Sequence, residues 1–471
     1  MNNLLNKSNN LRVYDNILQT IGKTPLVRLN NIGQDLACSL YAKVEFFNPG
    51  GSVKDRIGLN IIEEAERNGR LQPGGTVVEA TSGNTGVGLA IACAIKGYSS
   101  VFVIPDKMSH EKIQLLRAYG AKVLVTPTSV APEDPRSYYS VADRMVAETP
   151  NAILANQYHN LENPRSHYQT TGPEIWEQTK GKVTDVVLSI GTGGTISGVG
   201  QYLKEQNPDI KIIGVDPVGS LLLETWQVGE VPEGAVVFPY KVEGIGEDFL
   251  PTTLDLSVID EMLSVSDKES FLWTRKIVEE EGIFCGGSSG SAVAGAVKYS
   301  QNLSEDRLVV VLLPDSGSRY LSKIFDDRWM RENGFLEITW NEISLGEILE
   351  DKTYPRLITA SLNDPMAEVV QEMKKNDISQ MPILNEGGKI TGMIREVDLL
   401  EHMVSGEHDH TPNETVASIV RPEPPSYPVD TPLETVIPDL MEGSVILVSD
   451  STNPIGILTK IDVLDIISQD I

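Results

Sequence analysis

The sequence predicts an α/β fold with mostly parallel sheets, followed by a smaller domain made of two copies of one unit. Three observations support this. From about Asn16 to Phe335, short β-branched apolar runs alternate with helical patterns, which is typical of buried parallel strands covered by helices. After Phe335 the character changes and an internal repeat follows. The length of 471 residues also exceeds one typical globular unit, so two or three domains are expected.

The strands are predicted in the apolar runs, and two helices follow from apolar residues at helical spacing. The strand segments are TVVEA, SVFVIP, AKVLVTP, TDVVLSI and RLVVVLLP, and the helical ones are NTGVGLAIACAIKG and EKIQLLRAYG. Because ligands of parallel sheets gather at the carboxyl ends of strands, functional residues are expected in the loops that follow these runs.

Composition excludes several classes of function. The chain carries 39 Lys and Arg against 66 Asp and Glu, and its net charge of −27 repels nucleic acids and anionic membranes. Three widely separated cysteines without C-x-x-C spacing predict neither a disulfide framework nor a metal site, and they fit a reducing compartment. Since no apolar run is long enough for a signal or a membrane span, we expect a cytoplasmic protein.

The repeat runs from DPMAEVV to GMIREVDLLEHM and again from TPLETVI to GILTKIDVLDII. Gly392 aligns with Gly456 and Asp398 with Asp462 at the same offset, so the register of the two copies holds. We expect a catalytic domain over 1–340, a linker over 341–352 and a repeat domain over 353–471, with copies at 353–410 and 411–471.

Lys54 is the first candidate for chemistry. It follows the glycine turn Asn48-Pro-Gly-Gly-Ser-Val at the start of a predicted helix. The positive end of a helix dipole lowers the pKa of a nearby lysine, which suits an amine that forms a Schiff base. A lysine alone would be read as an ordinary exposed residue, so its significance depends on three further motifs.

The second motif, TSGNTG, follows a predicted strand and opens a helix, so the hydroxyls of Thr81, Ser82 and Thr85 and nearby backbone N–H groups suit a carboxylate. Asn84 alone could be a helix N-cap. The third, GTGGT, also joins a strand to a helix. Its glycines let backbone amides crowd around a phosphate, and a small cofactor fits better than a dinucleotide. It comprises Gly191, Thr192, Gly193, Gly194 and Thr195.

The fourth motif, CGGSSG, places Ser288 between two helical patterns. A neutral hydroxyl facing a pyridine nitrogen would leave that nitrogen unprotonated and favour β-elimination over transamination. Taken alone the segment reads as a turn. A serine nucleophile is unsupported, because the strand-elbow-helix context and a paired histidine are missing from the sequence pattern.

In this order, the four motifs resemble the pyridoxal 5'-phosphate (PLP)-dependent β-replacement family, which contains cysteine synthases, cystathionine β-synthases, threonine dehydratases and tryptophan synthase β-chains. The resemblance runs from Ile21 to Trp329 and implies fold type II, a tryptophan synthase β-like core. It implies that Lys54 forms the Schiff base, Asn84 lies beside the cofactor 3-hydroxyl and Ser288 faces the pyridine nitrogen. It also implies a phosphate cup at 191–195 and substrate contacts at Thr81, Ser82, Thr85, Gln157 and Gly246.

Segments such as QYHN, EGIG and LPDS resemble the cystathionine β-synthases within the family. The repeat resembles the CBS-domain pair, a regulatory (Bateman) module, from about Tyr354 to Ile467. That resemblance implies an adenosyl ligand, with Thr459 and Asp462 at the ribose of the second copy. S-adenosylmethionine, AMP, ATP and a scaffold without ligand remain open. Arg395 replaces the threonine in the first copy, which weakens the case for a ligand there.

The implied reaction condenses L-serine with L-homocysteine to L-cystathionine and water, with hydrogen sulfide release from cysteine as a further activity. Cysteine synthesis from O-acetylserine and an inactive ligand sensor are the alternatives. Tyr158 is expected to contact substrate or to pack, and Glu247 stands where animal relatives carry tyrosine. We expect no haem and no metal, a homodimer or homotetramer, and solvated or loop-bonded roles for His159 and His167.

Overall fold

The computed structural model describes residues 13–81, 83–106, 110–127, 130, 134–337, 343–350, 357–404, 414–443, 445–450 and 453–468. The chain forms two compact units, 1–330 and 331–471. Ser82, one of the expected substrate contacts, lies outside the described residues. No helix among the described residues combines the length and apolarity needed to cross a bilayer.

The first unit contains strands and helices in alternation, as the sequence predicted. Its strands are β1 (Leu26–Arg28), β2 (Ser39–Val44), β3 (Thr76–Ala80), β4 (Ser99–Pro105), β5 (Lys122–Thr126), β6 (Ala152–Leu154), β7 (Asp185–Ser189), β8 (Lys211–Pro217), β9 (Glu261–Val265) and β10 (Leu308–Leu313). Its helices are α1 (Lys54–Arg67), α2 (Asn84–Lys96), α3 (His110–Ala118), α4 (Tyr138–Glu148), α5 (Glu162–Gln169), α6 (Thr171–Gln178), α7 (Gly194–Gln206), α8 (Leu222–Val228), α9 (Asp267–Glu281), α10 (Gly287–Ser300) and α11 (Asp327–Glu332).

Two sheets organise the first unit. The larger has the order β1-β2-β10-β7-β8-β9 and is parallel except for the β1–β2 pair. The smaller has the order β5-β4-β3-β6 and is parallel throughout its described pairs. β10 lies between β2 and β7 and is almost wholly buried, which is why its sequence is a continuous apolar run. The predicted α/β fold is confirmed, and the five predicted strands are β3, β4, β5, β7 and β10.

A buried ionic cluster anchors helix α1. Arg56 donates to Glu45 Oε2 at 2.7 Å and to Glu174 Oε1 at 2.7 Å. Lys43, whose side chain is fully buried, contacts Glu174 Oε2 at 2.7 Å. Burial alone would make each charge costly, so the cluster depends on every partner being present. Through Arg56, which lies two residues beyond Lys54, the cluster fixes α1 to β2 and α6.

The second unit contains two copies of one arrangement. The first consists of β11 (Ala360–Ser361), α13 (Met366–Lys375), β12 (Gln380–Leu384), β13 (Ile390–Arg395) and α14 (Glu396–Val404), and the second of β14 (Ser426–Pro428), α15 (Leu433–Gly443), β15 (Val445–Asp450), β16 (Asn453–Thr459) and α16 (Lys460–Ser468). In each copy the first strand pairs parallel with the second, and the second pairs antiparallel with the third. The internal repeat of the sequence therefore corresponds to a structural repeat.

The predicted linker needs a correction. Within 341–352, residues 345–350 form helix α12 (Leu345–Glu350). Leu345 and Ile348 are buried in the apolar core of the second copy, against Leu433 and Val436. The segment reads as charged because only one helical face is apolar, and that face supplies core residues. The described part of the predicted linker is thus a structural element of the second unit.

Candidate active site

The candidate site is a cleft in the first unit, where the N-termini of α1, α2, α7 and α10 converge on the carboxyl ends of β3, β7 and β10. The following predicted residues line it: Lys54, Thr81, Asn84, Thr85, Gln157, Tyr158, Gly191, Thr192, Gly193, Thr195 and Ser288. Segments far apart in sequence therefore meet at one place, as expected for the ends of parallel strands.

Lys54 begins α1, and its backbone N–H donates to Ser52 Oγ at 3.2 Å. Burial lowers the pKa of the Lys54 amine to about 8, although the nearby carboxyls of Glu247 and Asp315 act in the opposite direction. An amine with this pKa has a substantial neutral fraction near pH 7, so it can attack a carbonyl carbon.

Helices α1 and α2 pack at unusually close range beside Lys54. A Cβ on Gly88 would lie 2.6 Å from the backbone oxygen of Lys54 and 2.9 Å from Cα of Asp55. A Cβ on Gly58 would lie 2.5 Å from the backbone carbon of Gly88. Both positions require glycine because backbone atoms occupy the space. This contact sets the distance between Lys54 and Asn84, which begins α2.

Asn84 is oriented by a residue that the sequence motifs did not single out. Its Nδ2 donates to Asp315 Oδ2 at 2.9 Å, and the Tyr320 hydroxyl donates to the same oxygen at 2.7 Å. Asp315 is fully buried, and burial raises the pKa of its carboxyl. A Cβ on Gly286 would lie 2.2 Å from Asp315 Oδ1, so the CGGSSG motif also makes room for this carboxyl. Ser288 is buried in the first turn of α10 and lines the cleft.

The glycine motif forms the turn into α7. Gly193 has φ +80°, and a Cβ on Gly191 would lie 2.5 Å from the backbone oxygen of Gly244. Gly194 approaches Asn163, whose Nδ2 donates to Thr192 Oγ1 at 3.0 Å. Glycines are needed here for the left-handed turn and for close approach, which leaves a cradle at a helix N-terminus that suits an anion.

His167 lies behind this turn, and the expectation that it is solvated or loop-bonded is wrong. Its ring is fully buried, hydrogen-bonded through Nδ1 to Thr171 Oγ1 at 2.9 Å and through Nε2 to Thr195 Oγ1 at 3.2 Å. Burial lowers the pKa of His167 well below its ordinary value, so the ring is neutral. Although the sequence around His167 is polar, the face of α5 on which it lies packs against α7. His159 is exposed and bonds Thr252 Oγ1 at 3.0 Å.

The residues expected to bind the substrate carboxylate are held in place by hydrogen bonds to neighbouring groups. Thr85 Oγ1 donates to Gln157 Oε1 at 2.5 Å, and Thr81 Oγ1 accepts from the N–H of Gly83 at 3.2 Å. Glu79, which the motifs did not indicate, accepts from the backbone N–H groups of Asn156 at 2.6 Å and Gln157 at 3.2 Å. Burial raises the pKa of Glu79 to about 7. Glu79 therefore holds the loop that presents Gln157.

Gly246, the remaining predicted substrate contact, is not among the residues that line the cleft. Its N–H donates to the backbone oxygen of Ile190 at 2.7 Å, and a Cβ there would meet Pro217 and Tyr240. With φ +74° it aims the next residue, Glu247, at the cleft. Burial raises the pKa of Glu247 to about 8, and the nearby Tyr158 hydroxyl opposes that shift.

The residues present fit pyridoxal phosphate. A buried amine, an anion cradle and a row of hydroxyls line one cleft, and Ser189 Oγ, also in its wall, has no hydrogen-bond partner among the described residues. The described residues hold no cluster of His, Cys, Asp and Glu that could bind a metal. The expectation that haem is absent stays a prediction.

Comparison with known families identifies the first unit. Residues 17–315 match the family of pyridoxal-phosphate dependent enzymes. The chain belongs to this family. Two further segments, 348–405 and 416–469, match the CBS domain, so this pyridoxal-phosphate dependent enzyme carries a C-terminal CBS pair.

Curated relatives are similar over different lengths. The chain is 45% identical to cystathionine beta-synthase of Oryctolagus cuniculus over 84% of this chain and 72% of the relative. It is 40% identical to cystathionine beta-synthase of Dictyostelium discoideum, over 96% of this chain and 92% of the relative. Cysteine synthase of Staphylococcus aureus (strain Mu50) is 43% identical over 66% of this chain and 98% of the relative.

Solved structures match the first unit. A hydrogen sulfide-producing enzyme from Fusobacterium nucleatum has a TM-score of 0.60 at 38% identity, covering 66% of this chain and 100% of that one. O-ureido-L-serine synthase has a TM-score of 0.62 at 36% identity, covering 68% and 99%. These likenesses, together with the curated relatives, show a PLP-dependent β-replacement enzyme.

The two aspartates that occupy equivalent positions in the CBS pair, Asp398 and Asp462, have different hydrogen-bond partners. In the second copy, Asp462 Oδ2 accepts from the backbone N–H of Thr459 at 2.6 Å and from its hydroxyl at 2.8 Å. In the first copy, Asp398 is bound by Arg395 through Oδ1 at 2.7 Å and Oδ2 at 2.9 Å, and by Arg421 Nε at 3.0 Å. Two guanidinium groups thus engage both carboxylate oxygens of Asp398.

Proposed function

We propose that this chain condenses L-serine with L-homocysteine to give L-cystathionine and water. The observation that carries the proposal is the relative from Dictyostelium, a cystathionine beta-synthase that aligns over 96% of this chain and therefore across both units. The cysteine synthase relative covers only 66% of the chain.

The residues of the cleft would divide the work as follows. Bound pyridoxal phosphate would supply an electron sink for the electrons of a broken Cα–H bond. Lys54 would hold the cofactor and, once displaced by the substrate amine, move the α-proton. The 191–195 turn would bind the phosphate, Asn84 the 3-hydroxyl and Ser288 the pyridine nitrogen.

The substrate carboxylate would lie against Thr81, Ser82, Thr85 and Gln157. The Thr85–Gln157 hydrogen bond and the Glu79 contacts support this assignment, because they fix these groups before the substrate arrives. Gly246 would act through its backbone position beside Glu247. Tyr158 would contact the reacting end of the substrate, with packing as the alternative.

A second candidate reaction is cysteine synthesis from O-acetylserine and sulfide, and release of hydrogen sulfide from cysteine is a third activity of the same site. The Staphylococcus cysteine synthase and the Fusobacterium hydrogen sulfide-producing enzyme favour keeping both in the tests. The difference from cystathionine synthesis lies in which acceptor the cleft admits, since the catalytic groups are shared.

For the second unit we propose a regulatory role, with S-adenosylmethionine or an adenine nucleotide at the second copy. Thr459 and Asp462 would contact the ribose, while Arg395 and Arg421 would keep Asp398 from doing so in the first copy. We also propose a cytoplasmic homodimer or homotetramer with small-molecule partners alone, and a catalytic domain over 1–340.

The experiment is a product analysis of the PLP-loaded protein with three substrate pairs. Serine plus homocysteine, O-acetylserine plus sulfide, and cysteine alone are each incubated with the protein, and products are measured by mass spectrometry. Cystathionine from the first pair as the main product supports the proposal. Cysteine from the second pair without cystathionine from the first would make the cysteine synthase reaction the better assignment.

A further inference from the structure

Glu247 is a cleft residue to which none of the four motifs gives a role. It follows Gly246 on the loop after α8 and lines the cleft together with Lys54, Tyr158 and Ser288. Its backbone is fixed on both sides, because its N–H donates to Ser220 Oγ at 3.0 Å and its oxygen accepts from the N–H of Leu221 at 3.1 Å. These bonds anchor the backbone of Glu247 at the wall of the cleft.

The surroundings of this carboxyl keep it uncharged near neutral pH. Burial raises the pKa of Glu247 to about 8, with the nearby charges of Asp248 and Asp216 in the same direction and Tyr158 and Lys54 opposing it. The titratable groups that face it come from α1, α4, the loop after β6, β8 and its own loop: Lys54, Tyr138, Tyr139, Tyr158, Asp216, Tyr240 and Asp248. Lys54 is the one cation in this set.

Serine sets a requirement that O-acetylserine does not. A β-hydroxyl leaves as hydroxide unless it receives a proton, whereas acetate leaves as a stable anion. General acid catalysis of such a step contributes typically about 100-fold to 10,000-fold, provided that the acid lies in reach and has a pKa near the working pH. The Glu247 carboxyl belongs to a residue that lines the same cleft as Lys54 and Tyr158, which meets the positional part of that requirement.

We propose that Glu247 gives its proton to the departing β-hydroxyl of serine and later takes the proton of the homocysteine thiol. This inference rests on the proposed function. In the first half, Lys54 takes the α-proton, the electron pair of that bond becomes a Cα–Cβ double bond, the Cβ–O bond breaks and water leaves with the proton of Glu247. In the second, the thiol proton goes to the Glu247 carboxylate, sulfur bonds to Cβ, and Lys54 returns its proton to Cα.

The test compares wild-type holoenzyme with Glu247→Gln, which keeps the shape of the side chain but cannot give up an acid proton. Each protein is mixed with serine or with O-acetylserine, without thiol, and the change in visible absorbance of the bound cofactor is followed by stopped flow. We expect the serine reaction to slow by at least about 100-fold and the O-acetylserine reaction to change by less than about threefold. Glu230→Gln, at an exposed carboxylate on the same loop outside the cleft, is the matched control and should leave both rates unchanged.

Difference infrared spectroscopy between wild type and Glu247→Gln gives a readout apart from turnover. We expect the C=O stretch of a protonated carboxyl at pH 7, lost as pH rises through about 8. Equal slowing with both donors, unchanged rates with both, or the lack of that carboxyl band would overturn the inference. If wild type responds to O-acetylserine but not to serine, the proposed function fails with it. A serine response in wild type without the selective effect in the variant rejects the role of Glu247 alone.

Discussion

Replacing Gly88 with alanine should separate catalysis from folding, because this glycine sets the spacing between α1 and α2. The added Cβ would lie 2.6 Å from the Lys54 backbone oxygen, whereas ordinary contacts begin at 3.4 Å, so α1 must move by about 0.8 Å. The nearest atoms to the added Cβ all belong to the backbone of Lys54 and Asp55, so no flexible side chain can absorb the shift. Lys54 and Asn84 lie at the ends of these two helices, so the shift falls directly on the cleft.

The expected loss is about 100-fold in kcat/KM, since a displacement near 1 Å in a positioned catalytic group costs on that order. This corresponds to about 2.7 kcal/mol of transition-state stabilisation. Overpacking should also lower the free energy of unfolding by about 1–3 kcal/mol. The assay is steady-state turnover of serine and homocysteine, together with circular dichroism and a urea titration to show that the variant is folded.

Gly443→Ala is the matched control, because it is the same exchange at a helical glycine with nothing within 4 Å of the added carbon. It should leave kcat/KM and stability unchanged. A folded Gly88→Ala protein with kcat/KM within twofold of wild type would refute the argument that this contact positions Lys54.

Four further predictions follow from the charges. Glu174→Gln removes the shared partner of two buried cations and should lower the free energy of unfolding by about 3–5 kcal/mol in urea at pH 7, whereas exposed Glu177→Gln on the same helix should not. Since Arg56 and Lys43 hold the pKa of Glu174 down to about 2, against the opposing effect of burial, its contribution exists above pH 4.5 and should fade as pH falls toward 2, which melting curves against pH will show. The rate at which the apo-protein takes up pyridoxal phosphate should rise with pH through about 8 as the Lys54 amine loses its proton; a flat profile would contradict this. Asp462→Asn should weaken binding of S-adenosylmethionine in calorimetry while Asp398→Asn leaves it unchanged, and equal losses would reject the assignment to the second copy.

Sequence was sufficient for the parts of the site that are built from local motifs. Lys54, Asn84 and the 191–195 turn could be placed because glycine patterns at strand–helix junctions have a meaning that depends on near neighbours only. The same holds for the central strand β10, whose burial on both faces leaves a continuous apolar run.

The residues that sequence missed act through distant partners. Asp315 matters because Asn84 and Tyr320 donate to it, and Glu79 because the backbone at Gln157 binds to it, and neither pairing leaves a local pattern. His167 was misjudged because its neighbours are polar, yet α7 covers the helix face on which it lies. Short strands such as β6, with only three residues, were missed because their length carries almost no periodic signal.

The most direct test of the central claim is the formation of cystathionine by wild type and by Lys54→Ala under identical conditions. PLP-loaded protein is mixed with L-serine and L-homocysteine, and cystathionine is measured by mass spectrometry. We predict steady formation by wild type and none by the variant, whose bound-cofactor absorbance should also be lost. Cystathionine formed equally by both proteins would contradict the role of Lys54, and none formed by wild type would contradict the proposed reaction.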